Sequence, residues 1–312
     1  MKKLTVALLS GGISSEREVS LNSGNQVFAA LDKEKYRVIR YDPKSDIPRL
    51  VDDAKTIDVA LVILHGPYGE DGTVQGLLDL IGIPYQGAGV LGSAAAMNKL
   101  ASKNLYAQCG LPVPPYRVAR AGGRFAADKC LAELGLPVVV KPVAAGSSVG
   151  MTIVRSADAL QPALQAAFEF DRNALVEAFI GGTEVTGAVI GNDRLQALPL
   201  IEIIPGKDHE FFDYTAKYTP GATQEICPAR IDAAMTEKAQ KYAIKAHEAL
   251  FCRGYSRTDM ILKDGELFVL ETNTIPGFTP TSLFPQAAAA AGMDFSRLLD
   301  RLIELAMEDG AY

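Results

Sequence analysis

The chain has 312 residues, of which 48% are hydrophobic and 22% are charged, a composition typical of globular proteins. This length is too great for one small hydrophobic core, so we expect two or three domains. The net charge of −6 argues against a nucleic-acid partner, and an anionic ligand must therefore be met by local lysines or by backbone N–H groups.

The cysteines and the apolar segments bear on the cellular location of the protein. The four cysteines have no C-x-x-C spacing, which favours reduced thiols in a cytoplasmic protein over a disulfide framework. The apolar run Leu4–Leu9 is too short for a secretory signal. The longest charge-free segment, Leu80–Asn98, is interrupted by glycines and a proline, so we expect no membrane span.

Strand and helix patterns alternate along the first hundred residues. The apolar runs are Leu4–Ser10, Tyr36–Tyr41 and Val59–Leu64, and helical spacing is found at 16–31 and 73–81. This alternation predicts an open α/β sheet with buried parallel strands. The glycines after the first strand do not match the G-x-G-x-x-G fingerprint, so no dinucleotide site is predicted.

Two loops of this segment carry candidate site residues. Glu16 follows the first strand, at the edge where open sheets bind ligands, although an exposed carboxylate at a helix start would look the same. His65 begins a loop rich in glycine and acids, which is typical either of a functional loop or of a turn in which Asp71 caps the next helix. A helical pattern covers 91–108, and we place the first domain boundary near residue 98.

A loop of small residues separates the next two strand patterns, Leu136–Lys141 and Met151–Val154. Such a loop can close over a polyphosphate, with backbone N–H groups and the hydroxyls of Ser147 and Ser148 facing oxygens and Lys141 supplying a point charge. Because the lysine precedes the glycines and a strand follows, the loop is not a P-loop. A flexible hairpin loop is the alternative.

Further strand patterns follow, and then a long loop. Glu177 lies within the strand pattern 174–180, and strands at 185–190 and 195–204 continue the sheet. The segment between Pro205 and Pro228 is polar but contains several aromatic residues, which predicts an ordered lid rather than a disordered loop.

The segment 257–273 predicts a β-hairpin with polar side chains on one face. Its two apolar-rich halves are separated by Lys263-Asp264-Gly265, and if all three form the loop, alternate side chains of both halves share one face. These side chains are Arg257, Asp259, Glu271 and Asn273. The two carboxylates and the amide oxygen of Asn273 would form an oxygen cluster suited to magnesium. A two-residue loop would separate Asp259 from Glu271, and solvated rim carboxylates are the bland alternative.

A turn-rich loop follows the hairpin and leads into a helix. Ser282, near the start of that helix, either caps it or joins adjacent N–H groups in binding a carboxylate. The amphipathic pattern 295–306 predicts a final helix.

Six stretches, taken together and in this order, resemble the motifs of the D-alanine–D-alanine ligase family, which belongs to the ATP-grasp superfamily. They are G-G-I-S-S-E-R-E-V-S-L-N-S-G (11–24), L-H-G-P-Y-G-E-D-G (64–72), V-V-K-P-V-A-A-G-S-S-V-G-M (139–151), F-D-Y-T-A-K-Y (212–218), R-T-D (257–259) and E-T-N-T-I-P-G-F-T-P-T-S-L (271–283). The resemblance implies an N-terminal open parallel α/β domain (1–98) and ATP held between two antiparallel sheets. The sheets belong to a central domain (99–182) and a C-terminal catalytic domain (183–312) with a lid at 205–228.

The same resemblance implies the reaction and its partners. ATP activates one D-alanine as an acyl phosphate, and the amine of a second D-alanine then displaces phosphate, giving D-alanyl-D-alanine for peptidoglycan synthesis. Two magnesium ions, or manganese in their place, and a homodimer formed through the first domain are also implied. Because the second substrate attacks as a free amine, activity should rise with pH.

The family's site residues carry over to positions in this sequence. Expected nucleotide contacts are Lys99, Lys141, Ser147, Ser148, Glu177, Phe179, Ile180, Glu184 and Lys217, and expected metal ligands are Asp259, Glu271 and Asn273. Expected substrate-binding and catalytic residues are Glu16, His65, Ser147, Lys217, Tyr218, Arg257, Gly277, Ser282 and Leu283. Ala178 stands where many relatives have lysine, so adenine selectivity would rest on backbone groups.

Two alternatives to this function stay open. One keeps the fold and changes the acceptor, as in a D-alanine–D-lactate ligase or another carboxylate–amine ligase. The other is an ATP-binding protein without turnover. The tyrosine form of the lid motif, with Tyr218, favours a dipeptide product.

Overall fold

The computed structural model describes residues 3–146, 149–206 and 223–308. The strands are β1 Leu4–Ser10, β2 Tyr36–Tyr41, β3 Val59–Ile63, β4 Tyr116–Arg120, β5 Val138–Pro142, β6 Thr152–Val154, β7 Asn173–Ala178, β8 Thr183–Gly191, β9 Gln196–Ala197, β10 Ile201–Pro205, β11 Thr223–Ile226, β12 Gly254–Lys263 and β13 Glu266–Asn273.

The helices pack on the faces of the sheets that these strands form. They are α1 Arg17–Ala30, α2 Ile47–Asp53, α3 Thr73–Ile81, α4 Val90–Met97, α5 Lys99–Gln108, α6 Ala127–Leu134, α7 Leu160–Phe168, α8 Ala233–Ala249, α9 Leu283–Ala290 and α10 Phe295–Ala306, with short 3-10 helices at Ala54–Thr56 and Ala157–Ala159. Within the described ranges, none of the helices has the length and apolar character needed to span a bilayer.

The first sheet is parallel, with the strand order β2-β1-β3. The central strand β1 is buried along almost its whole length because helices pack on both of its faces. Its core is shared with the end of the chain, since Leu298 and Leu302 of α10 belong to the same buried cluster as Val6 and Leu8 of β1. The predicted open parallel α/β sheet is confirmed.

Two antiparallel sheets form the rest of the described structure. The middle sheet has the order β4-β7-β5-β6, and the last sheet has the order β11-β10-β8-β12-β13, with β9 paired to β8. Gly187 of β8 lets α8 pack closely beneath the last sheet, because a Cβ there would lie 2.8 Å from the Cβ of Ala243. The opposite face of this sheet is thereby left for the site.

Two predicted elements differ from the structure. The single helix expected at 91–108 is two helices, because Asn98 is extended and its side chain accepts a hydrogen bond from the N–H of Ala101, which caps α5. The lid expected between Pro205 and Pro228 contains strand β11, paired with β10. Residues 207–222 of that segment lie outside the described residues.

The hairpin loop has two residues. Lys263 pairs with Glu266, so the loop is Asp264-Gly265, with φ of 49° and 79°. Positive φ at both residues is what a two-residue hairpin turn requires, and Asp-Gly supplies it. Of the two loop lengths that the sequence left open, the structure has the shorter one.

A β-bulge nevertheless brings the two carboxylates together. Met260 pairs with Val269, but the next pair is Asp259 with Glu271, so Leu270 is an extra residue in β13. One extra residue reverses the alternation of side chains beyond it. Asp259 and Glu271 thus lie directly opposite each other, although the two-residue loop alone would have separated them.

Candidate active site

Two adjoining cavities lie on the open face of the last sheet. An inter-sheet cavity of about 130 Å³ lies between the middle and last sheets, and a larger cavity of about 560 Å³ opens towards the first sheet. Lys99, Ala145 and Glu271 line both cavities. Ligands held in the two cavities would therefore meet at these three residues.

The predicted site residues in the described part of the chain divide between the cavities. Lys99, Lys141, Glu177, Phe179, Ile180, Glu184, Asp259 and Glu271 line the inter-sheet cavity. Glu16, His65, Arg257, Asn273, Gly277, Ser282 and Leu283 line the larger one. Ser147, Ser148, Lys217 and Tyr218 lie outside the described residues.

Asp259, one of the expected metal ligands, accepts hydrogen bonds from three side chains. Arg257 donates to both of its oxygens at 3.0 Å. Thr186 Oγ1 donates at 2.6 Å, and Asn273 Nδ2 donates at 3.1 Å. The bidentate contact fixes the guanidinium plane of Arg257 at the edge of the larger cavity.

The donor set at this site suits a hard cation. Asp259 and Glu271 are opposite each other, and Asn273 is opposite Arg257, so two carboxylates and one amide converge where oxygen ligands suit magnesium. Among the described residues no group of three or more His, Cys, Asp and Glu side chains is arranged to hold a metal. The amide oxygen of Asn273 is therefore needed to complete a three-residue ligand set.

A buried ion-pair cluster closes one wall of the inter-sheet cavity. Glu177 of β7 contacts Lys141 of β5 through Oε1 at 3.1 Å and Lys103 of α5 through Oε2 at 2.6 Å. Both lysines hold the pKa of Glu177 below its usual value despite burial, which acts in the opposite direction. Burial lowers the pKa of Lys103 to about 8. Sequence reasoning did not assign Lys103 to the site, although it lies one helical turn after Lys99 and so shares its face of α5.

Two backbone N–H groups at the end of β7 already donate hydrogen bonds within the protein. The Phe179 N–H donates to the carbonyl of Pro137 at 3.1 Å, and the Ala178 N–H donates to the carbonyl of Pro115 at 2.9 Å. Phe179 and Ile180 still line the inter-sheet cavity. Its apolar walls include Leu270, which the bulge turns towards the same cavity as Glu271.

Glu16 lies at the start of α1 and is buried. The alternative interpretation, a simple helix-start carboxylate, required it to be exposed. Only 6% of its surface is accessible. The preceding Gly11-Gly12 turn is anchored by Asp42, which accepts from the Gly12 N–H at 2.9 Å and pairs with Arg17 at 2.6 Å. The hydrogen bond from Arg17 lowers the pKa of Asp42 to about 2. This anchor fixes the turn that directs Glu16 into the larger cavity.

The loop after β3 contributes two different acids. Asp71 accepts from the Thr73 N–H at 3.0 Å, but Gly72 occupies the cap position of α3 and no side chain caps this helix, so the prediction that Asp71 caps it is wrong. Glu70 lines the larger cavity and accepts from the Gly66 N–H at 2.7 Å. Burial, followed by the charge of Glu16, raises the pKa of Glu70 to about 8. Sequence reasoning missed Glu70, although its loop was singled out.

His65 is buried in the same wall of the larger cavity. Burial lowers the pKa of its imidazole, and the negative charge of Glu16 opposes that change. Ser14 connects the two loops, because its hydroxyl donates to the His65 carbonyl at 2.7 Å and lies 3.2 Å from the Glu16 N–H.

Ser282 has the backbone of a helix cap without the side-chain bond of one. Its φ and ψ are −74° and 153°, and its hydroxyl makes no capping hydrogen bond to α9. The hydroxyl instead accepts from the Thr279 N–H at 3.1 Å and lies 2.8 Å from Thr279 Oγ1. The capping explanation for this serine is therefore wrong, and its oxygen lies at the wall of the larger cavity.

Known proteins are similar to this chain over nearly its whole length. The sequence matches the family models D-ala D-ala ligase N-terminus over residues 42–88 and D-ala D-ala ligase C-terminus over residues 105–304. It is 64% identical to a D-alanine–D-alanine ligase of Syntrophobacter fumaroxidans, covering 99% of each chain, and 55% identical to one of Desulfotalea psychrophila, covering 98% and 96%.

Two solved structures of ligases have a fold similar to that of this chain. The D-alanine–D-alanine ligase of Bacillus anthracis complexed with ATP has a TM-score of 0.86 at 37% identity, with 97% of each chain covered. The VanG D-Ala:D-Ser ligase of Enterococcus faecalis has a TM-score of 0.82 at 35% identity, with 98% of this chain and 100% of that chain covered.

Proposed function

Because the chain belongs to the D-alanine–D-alanine ligase family, as its six motifs indicated, we propose roles for its residues in that family's reaction. The protein is an ATP-dependent ligase that joins two D-alanine molecules into D-alanyl-D-alanine for peptidoglycan synthesis. The main support for these roles is that the two cavities meet at Lys99 and Glu271. A phosphoryl group at that junction adjoins a carboxylate held in the larger cavity.

ATP occupies the inter-sheet cavity in this proposal. Lys99 and Lys141 neutralise the α- and β-phosphates, and Glu184 contacts the ribose. Glu177 and the backbone of Phe179 and Ile180 contact the adenine. Because Ala178 offers no side-chain donor, the selection of adenine would rest on backbone groups, and the apolar walls of the cavity suit a planar base.

Two magnesium ions, or manganese ions, would be held by Asp259, Glu271 and Asn273. When bound, they supply positive charge that balances the phosphates. The oxygen ligands of these residues support the assignment. Because Arg257 holds both oxygens of Asp259, a bound cation would share that carboxylate with the guanidinium.

The first step is phosphoryl transfer to a D-alanine carboxylate. Glu16 attracts the ammonium group of this substrate, and His65 lies beside it in the wall. The carboxylate oxygen attacks the γ-phosphorus of ATP, ADP leaves, and the product is an acyl phosphate. Positioning and charge neutralisation are sufficient here, so no protein nucleophile is required.

The second step is attack of an amine on the acyl phosphate. The amine of the second D-alanine adds to the carbonyl carbon, and Arg257 and the Gly277 N–H donate to the oxyanion that forms. Phosphate then leaves. The Ser282 hydroxyl and the Leu283 N–H bind the carboxylate of this second substrate at the start of α9.

Four residues receive roles from the family resemblance alone. Ser147 and Tyr218 would link Glu16 to the lid, and Ser148 would contact ATP. Lys217 would bind the second carboxylate and reach the transferred phosphate. The tyrosine of the lid motif supports a dipeptide product.

The domain division, the assembly and the location are also proposals. We assign domains to 1–98, 99–182 and 183–312, and a homodimer formed through the first of them. Exposed apolar side chains on α3 and α4, including Leu80 at 87% and Leu91 at 61%, support that contact. All four cysteines are free thiols, which suits a reducing cytoplasm.

An acceptor assay tests the proposed reaction. Purified protein with ATP, magnesium and D-alanine alone should release ADP and form a dipeptide identifiable by mass. The Glu271→Gln variant serves as the inactive control. ATP binding without D-alanine-dependent ADP release would contradict turnover.

The same assay decides between acceptors. The VanG likeness makes D-serine a specific second acceptor to test, and D-lactate at neutral pH tests ester formation. A higher kcat/KM with D-serine or D-lactate than with D-alanine as acceptor would overturn the proposed product.

A further inference from the structure

Lys103 carries a buried positive charge that none of the roles above uses. It is fully buried on α5 and does not line either cavity. Its Nζ lies 2.6 Å from Glu177 Oε2 and 6.0 Å from the ring centre of Tyr116. Although burial lowers the pKa of Lys103 to about 8, the amine stays mostly protonated at neutral pH.

Lys141 contacts the other oxygen of the same carboxylate. Val139 of β5 pairs with Glu177 of β7, so Lys141, two residues along the strand, lies on the same face and one diagonal step away. Its Nζ is 3.1 Å from Glu177 Oε1. Unlike Lys103, Lys141 lines the inter-sheet cavity, so the two lysines approach Glu177 from different sides.

These contacts create a competition for Lys141. Lys141 has three N–H donors but only one positive charge, so a phosphate that it binds must share that charge with Glu177. A buried carboxylate whose only cation is shared in this way is destabilised. Lys103 removes this penalty, because it keeps Glu177 paired whichever ligand Lys141 binds.

We propose that Lys103 is a positioning residue that neutralises Glu177 and thereby leaves Lys141 available to the phosphates of the nucleotide. This inference rests on the proposed phosphate-binding role of Lys141. Removing Lys103 would leave Lys141 as the sole partner of Glu177, so Lys141 would be held away from the nucleotide. Phosphate binding would weaken, and binding of the base and ribose would not.

Nucleotide binding by four variants tests the inference. The dissociation constants of ADP and adenosine are measured for wild type, Lys103→Met, Glu177→Gln, the double variant Lys103→Met/Glu177→Gln, and Lys141→Met. We expect Lys103→Met to raise the ADP constant about 10-fold or more and to leave the adenosine constant within about 2-fold of wild type. In the Glu177→Gln background, adding Lys103→Met should change the ADP constant by less than about 3-fold.

Each outcome has a defined meaning. If Lys103→Met binds ADP as tightly as wild type while Lys141→Met binds it more weakly, the inference about Lys103 is overturned but the phosphate-binding role of Lys141 stands. Unaltered ADP binding by Lys141→Met would remove Lys141 from phosphate binding and the inference with it. An equal loss of ADP and adenosine affinity in a folded Lys103→Met protein would indicate a purely structural role and would also overturn the inference.

The double variant covers the case in which Lys103→Met does not fold, because it removes the buried carboxylate together with the buried amine and leaves only the charge of Lys141, which faces the inter-sheet cavity. Equal ADP binding by Glu177→Gln and the double variant then supports the inference. A further loss of about 10-fold in the double variant would contradict it.

Discussion

Replacing Ser282 by alanine tests the second carboxylate site, because this serine does not cap its helix. The substitution removes one hydroxyl that is proposed to donate to the carboxylate of the second D-alanine. A hydrogen bond to a charged group contributes about 1.5–3 kcal/mol, so the KM of the second D-alanine should rise roughly 10- to 100-fold. The KM of ATP should not change.

The substitution should also lower stability moderately. The hydroxyl accepts from the Thr279 N–H at 3.1 Å and shares a hydrogen bond of 2.8 Å with the Thr279 hydroxyl, and losing both bonds costs about 1–3 kcal/mol. No capping bond is lost, so the further destabilisation that follows removal of a helix cap is not expected.

The assay is ADP release at saturating ATP with D-alanine varied, fitted to a rate law with two D-alanine sites. Thr281→Ala is the matched control, because Thr281 is an exposed neighbour whose hydroxyl contacts the same Thr279 side chain at 3.2 Å. Its second KM should stay within about 2-fold of wild type. An unchanged second KM in Ser282→Ala, or an equal rise in both variants, would refute the proposed role.

Three further predictions concern the metal ligands and the packing behind the site. Glu271→Gln should abolish ADP release while thermal unfolding stays near that of wild type, and residual turnover above about 10% would exclude Glu271 as an essential ligand. Burial lowers the pKa of His247 from 6.5 to about 4, so protonation of the unfolded state should remove roughly 3 kcal/mol of stability between those pH values. Urea unfolding of His247→Gln should lack this loss, and an identical pH profile would contradict it. Tyr106→Phe removes a buried hydrogen bond of 2.8 Å to Thr272 and should lower the free energy of unfolding by about 1–3 kcal/mol; a midpoint equal to that of wild type would count against this estimate.

Much of the fold could be read from local patterns. The bounds of β1, β2, α3 and α10 agree with the apolar runs and helical spacing, because burial of one face or of a whole strand imposes a period that the sequence retains. The prediction of one continuous helix over 91–108 was wrong at Asn98. Helical spacing continues on both sides of this residue, which caps the second helix. No apolar period marks such a break.

The proposed site residues come from motif resemblance more than from physical pattern. Glu70 and Lys103 were missed because their importance depends on what surrounds them. Glu70 faces a cavity shared with Glu16, and Lys103 contacts a glutamate more than seventy residues away in the sequence. A carboxylate or an amine has no local signature of burial.

The sequence by itself determined the family, the reaction and the parallel sheet, and it supplied the residues that are proposed to meet ATP and D-alanine. Only the tertiary structure decided how Asp259 and Glu271 come to face each other. The sequence left the length of the hairpin loop open, and the loop that formed would have placed them on opposite faces. The bulge at Leu270 reversed the alternation, because where an extra residue is accommodated depends on the packing of both faces of the sheet, which no local segment encodes.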